Sequence, residues 1–104
     1  MTTEQVLQDE ILESQKALDG PIDDTIFRRD HSKRIELIKW GLENMKNQST
    51  PICEIIETKM NEIIDKLNET HSTLEADPLD SELMILDWMF YQVCSNKIKK
   101  FESV

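Results

Sequence analysis

Apolar and polar positions along this chain fall into four stretches with helical spacing. In the first, from about Thr3 to Asp19, Val6, Leu7, Ile11, Ser14 and Leu18 make a thin stripe. Thr2 or Thr3 is the expected cap, and Gly20-Pro21 is a stop, with Gly20 expected in the left-handed cap conformation. A second stretch starts near Asp23 or Asp24. It places Phe27, His31, Ile35, Ile38, Leu42 and Met45 on one face, widened by Leu37 and Trp40, and is expected to end in Asn47-Gln48-Ser49. Gly41 inside this stretch costs ~1 kcal/mol relative to alanine, which points to a close helix crossing or a bend.

The third stretch has the most regular pattern. Thr50 is the expected cap, and Pro51 fits the first turn, where its missing N–H costs nothing. Ile56, Met60, Ile63, Leu67, Thr70 and Leu74 step by four and three, a heptad-like seam. Glu54, Glu57, Lys59, Glu62, Asp65, Lys66 and Glu69 cover the other side.

The fourth stretch is expected to start at Asp77-Pro78 or Asp80 and contains the run Leu83 to Cys94, interrupted only by Asp87 and Gln92. One face holds Leu83, Leu86, Phe90, Val93 or Cys94, Ile98 and Phe101; a second holds Ile85, Trp88 and Met89. A helix apolar on nearly all sides must be covered on most of them, by its own bundle or by a partner. Lys97, Lys99 and Lys100 follow where cations complement the helix dipole.

The expected architecture is all-α: a small antiparallel bundle of three to four helices around a central hydrophobic C-terminal helix. Residues 1–104 make one domain, with the sparse first helix, 1–20, attached less firmly than the rest. At 104 residues such a chain buries roughly 65% of its unfolded surface. Two glycines and three prolines leave little turn punctuation, which favours helices over many short strands.

Charge sharpens the picture. The chain carries a net −9, which disfavours general nucleic-acid binding. The charge is unevenly spread. Residues 27–46 hold six bases and three acids, whereas 1–26 hold seven acids and one base and 47–76 hold six acids and two bases. Opposite charge therefore favours antiparallel packing of the basic second helix against its neighbours. Arg28, Arg29, Lys33 and Arg34 form the basic cluster and are candidate charged contacts for an acidic peptide, a phosphate or an import receptor; the bland reading is neutralisation by Asp23, Asp24 and other acids.

No catalytic or cofactor signature is present: no glycine-rich phosphate loop, no GxSxG, no HExxH. Cys53, Cys94, His31 and His71 lack the close spacing of a zinc site, so no metal and no cofactor is expected, and the chain reads as a non-enzyme. Both cysteines fall on apolar faces. The start Met-Thr-Thr-Glu-Gln-Val shows no leader pattern, so free thiols in a reducing intracellular compartment, cytoplasmic or nuclear, are expected. The sequons at Asn47 and Asn68 then read as chance matches. The apolar run is too short to span a bilayer, which needs ~20 apolar residues.

These features imply a protein–protein interaction subunit or adaptor. It would dock another protein, expected to be helical, or a second copy of itself, through apolar faces of its third and fourth helices. Trp88, Tyr91, Met84 and Trp40 are the candidate partner-binding residues. The alternative is an acidic regulator, with Glu54, Glu57, Glu62, Asp65 and Glu69 masking a basic surface of a nucleic-acid-binding protein. Direct phosphate contact by the basic cluster is a third reading. The methionines, Met84 included, read first as core fillers.

Overall fold

A computed structural model describes residues 2–46 and 50–102, with side chains through Cys94. It contains four helices and, among the described residues, no strand: α1 Thr3–Asp19, α2 Thr25–Met45, α3 Ile52–Glu69 and α4 Thr73–Glu102.

Local sequence explains most helix ends, and several differ from expectation. Thr2 opens α1 with a reciprocal capping box: its Oγ1 accepts from the Gln5 N–H, and the Gln5 side chain accepts from the Thr2 N–H. Gly20 closes α1 in an extended conformation, φ −80 and ψ −179, not the left-handed one expected. Pro21 is the reason, because a residue before proline is driven toward extended backbone. Asp24 caps α2 by accepting from the Phe27 N–H at 2.8 Å. The expected end of this helix at 47–49 lies outside the described residues.

Helix α3 starts one residue later than expected. Pro51 stands at the cap position, its carbonyl accepting from the Glu54 and Ile55 N–H groups, and Thr50 caps nothing. The larger correction is α4, which begins at Thr73, not at 77–80. Ser72 caps it, accepting from the Glu75 N–H. Pro78 thus sits inside the helix. That early in a helix it removes one backbone bond, to the carbonyl of residue 74, and Leu74 is 87% exposed, so water can take the bond's place. Leu74, expected at the end of the third-helix seam, belongs to α4, while Thr70 is the C-cap of α3. Helical geometry is interrupted at Cys94 (φ −115, ψ 23). Ile98, Phe101 and the three lysines expected beyond it lie outside the described side chains.

The bundle is antiparallel between successive helices. Glu10 with Arg34, Ser14 with His31 and Leu18 with Arg28 run in opposite order along α1 and α2. By contrast, Arg29 with Ser81, Lys33 with Glu82 and Gly41 with Met89 run in the same order along α2 and α4, which are therefore the parallel diagonal. Each of α2 and α4 packs on every other helix, whereas α1 and α3 do not meet among the described residues. The C-terminal helix is central, as its apolar run implies. One core holds Leu7, Leu37, Ile38, Ile56, Ile63, Ile85, Leu86 and Met89. Gly41 is buried where α2 crosses α4, and a Cβ there would run into the terminal methyl of Met89. This is the close crossing that a glycine in mid-helix suggests.

Cys53 and Cys94 are joined by a disulfide, with Cα atoms 6.1 Å apart. The free-thiol expectation is therefore corrected, and the reducing compartment inferred from it loses that ground. The reason is geometric. The apolar faces carrying the two residues are the faces through which α3 and α4 meet, and the antiparallel register sets Cys53 opposite Cys94, within the span a disulfide bridges.

Candidate functional site: an apolar groove between the third and fourth helices

Side chains that face away from the core on α3 and α4 enclose a groove. Met60 and Ile64 line one wall, and Asp80, Leu83, Met84 and Asp87 line the other, around a volume of 510 Å³. Met84 is 74% exposed and Ile64 40% exposed. The floor is continuous with the core, because Met60 and Leu83 also pack against it. On α4, Asp80, Met84, Asp87 and Tyr91 are spaced by four, three and four, so they form one stripe. Tyr91, 57% exposed, extends that stripe beyond the groove. Cys53 and Cys94 lie seven residues, about two turns, beyond Met60 and Asp87. The groove is thus framed by the disulfide at one end and by the 70–72 turn at the other.

The four residues expected to bind a partner divide. Met84 lies in the groove and Tyr91 on its stripe. Trp88 is half-buried against the core. Trp40 stands elsewhere, on α2, where Lys59 lies 5.4 Å over its ring, and it borders a separate cleft of 370 Å³ with Thr50, Glu54, Ile55, Thr58, Lys59 and Glu62. Ile64, Leu83, Asp80 and Asp87 were not anticipated as site residues. Ile64 carried the one usable signal: it is apolar, directly follows the seam residue Ile63, and belongs to no seam of its own.

The basic cluster is committed inside the bundle. Arg28 donates to the Leu18 carbonyl at 2.9 Å, satisfying an end of α1. Arg29 binds Asp30 at 3.0 Å and reaches Ser81 at 3.5 Å. Arg34 binds Glu10 at 2.6 Å. Lys33 lies 3.2 Å from both Glu82 and Glu36. Burial lowers the Lys33 pKa, but hydrogen bonds from the ammonium to Glu82 and Glu36, with their charge, outweigh it and hold the group above its ordinary 10.5. Apart from backbone carbonyls and Ser81, the partners are acids of α1, α2 and α4; the acidic neighbours Asp30 and Glu36 are among them, Asp23 and Asp24 are not.

Ser14, fully buried, lies 3.2 Å from His31 Nδ1, and the His31 ring meets Phe27 edge-on at 4.4 Å. The Ser14 hydroxyl is closed to any substrate. Among the described residues no group of three or more His, Cys, Asp or Glu is placed to hold a metal ion, and no helix is long and apolar enough to cross a membrane. No protein-family model, curated protein or solved structure matches this chain.

Proposed function

We propose that this chain is a non-enzymatic docking module that takes a helix of a partner protein into the α3–α4 groove. One observation carries the reading: Met84, a large apolar side chain in mid-helix, stands 74% exposed beside the exposed Ile64 over an apolar floor. Scattered single apolar residues on a surface need no explanation, but an apolar groove rimmed by polar groups is what helix-in-groove recognition uses. Tyr91 on the same stripe supplies the kind of side chain that anchors interfaces.

Selection from a displayed library of helical peptides tests this. Peptides enriched on the wild-type protein are expected to lose binding to Met84→Ser and to weaken on Tyr91→Ala. They should bind Leu12→Ser, altered at an exposed leucine of α1, unchanged. All three substitutions are at exposed sites and should shift stability by no more than ~0.5 kcal/mol. Enriched peptides that bind Met84→Ser as well as wild type would remove the groove from this role.

A second reading, an acidic regulator that covers a basic surface, is favoured by the internal use of the basic cluster. With Arg28, Arg29, Lys33 and Arg34 engaged within the bundle, Glu54, Glu62, Asp65 and Glu69 on α3 keep their charge for a partner. Binding of that kind would weaken steeply with salt, whereas apolar docking would not.

A further inference from the structure

We infer that the groove is built for a cationic amphipathic helix, one with apolar side chains along one face and lysine or arginine beside them. This rests on the docking reading and names the chemistry of the partner. Three observations carry it.

The rim of the groove is acidic. Asp80 and Asp87 line it, exposed, two turns apart on either side of Met84, so their carboxylates bracket the apolar centre at about 10 Å along α4. Among the described residues neither takes part in a hydrogen bond or ion pair.

The cations of the hairpin among the described side chains are turned away. Residues 52–94 carry ten acids and two bases, Lys59 and Lys66. At about 100° per residue those two lysines lie about 140–160° around α3 from Ile64. Lys59 is directed at Trp40 on the α2 side. Among the described side chains, the groove side of the hairpin is therefore uniformly negative.

Third, the chain's basic helix cannot neutralise this surface from within. The cluster on α2 is spent on α1, on Asp30 and Glu36 of its own helix, and on Glu82, which faces α2 and not the groove. An uncharged apolar helix would leave Asp80 and Asp87 beside it without counter-charge, and an acidic one would be repelled. A helix with cations flanking its apolar face satisfies both the floor and the rim.

Fluorescence anisotropy with two labelled synthetic peptides of about five turns tests the inference. Both carry leucine at helical spacing; one has lysines beside the leucines, the other glutamates. The lysine peptide is expected to bind the wild-type chain, and the glutamate peptide not to bind. Asp80→Asn/Asp87→Asn should raise the Kd of the lysine peptide about tenfold and flatten its salt dependence. Glu4→Gln/Asp9→Asn, which removes two exposed acids on α1, should leave that Kd within about twofold. Equal binding of both peptides, abolished by Met84→Ser, would overturn the charge inference while leaving groove docking intact. Lysine-peptide binding that ignores Met84→Ser, or that falls equally with the α1 pair, would be general attraction to an acidic protein and would overturn both. Binding of neither peptide would overturn the cationic partner, as would a dimer by light scattering that Met84→Ser dissolves, which would put a second copy in the groove.

Discussion

Removing the Cys53–Cys94 bond should take a large share of this domain's stability. The bond closes a loop with a sequence separation of 41. On the chain-entropy estimate, with a loop of that length, it restricts the unfolded chain by about 13 cal/mol/K, or about 4 kcal/mol at 25 °C. Domains of this size have roughly 5–15 kcal/mol in total. At ~4–8 °C per kcal/mol, Tm should fall by roughly 15–30 °C. The assay is urea denaturation followed by circular dichroism on three samples: oxidised wild type, wild type under dithiothreitol, and Cys53→Ala/Cys94→Ala. Reduced wild type keeps both sulfur atoms, so its loss reports the cross-link. The double variant should lose up to ~1 kcal/mol more for the missing side-chain packing, because Cys94 is buried. Two titratable thiols per chain in unreduced, denatured protein would refute the bond itself. A reduced form within about 1 kcal/mol of the oxidised form would refute the entropic account.

Gly41→Ala should gain ~1 kcal/mol of helix propensity and lose about 1–3 kcal/mol to the buried Met89 methyl. The net expectation is mild destabilisation that a Met89→Leu background relieves; thermal melts of the four proteins in that cycle check it. Lys33 predicts an alkaline effect. Its folded pKa lies above its unfolded value, so its contribution is fully present below about pH 10.5 and fades as pH rises through the folded pKa. Lys33→Met should therefore lose stability at pH 8 and show a shallower decline between pH 10 and 12, read by urea midpoints at each pH.

Much of the fold can be read from periodicity, because a core must be built from residues that share a helix face. The seam Ile56, Met60, Ile63 and Leu67 and the over-apolar run around Leu86 and Met89 placed α3 and α4 with little ambiguity. Helix ends were less legible wherever proline was involved. Gly20 reads as a left-handed cap until Pro21 is given its steric weight. Pro78 reads as a helix start, but the competing signal was Ser72, a good cap followed by residues that can continue a helix through a single missing bond. The site was half legible. Met84 belongs to a run too apolar for one stripe, but only the angle at which α3 and α4 pack shows that Met84 faces outward with Ile64 while Met89 faces inward. Trp40 and the basic cluster look like surface chemistry in the sequence. In the bundle, Lys59 over one and Glu10 and Glu82 against the other give them partners that no short-range pattern encodes, although Asp30 and Glu36 lie close by in the sequence. The cysteines failed for the same reason: 41 residues of separation hide an adjacency that the antiparallel register creates.

The disulfide and the 70–72 turn also make α3 and α4 a closed ring of covalent bonds, which matters if the protein is ever pulled. Tension applied at the two termini reaches Cys53 and passes across the sulfurs to Cys94, so it never loads the chain between them. Stretched in a single-molecule force experiment, α1 and α2 would extend while the 41-residue interval stays hidden, about 140 Å of contour length that reappears only after reduction. Under load, the groove would be the last part of the molecule to lose its shape.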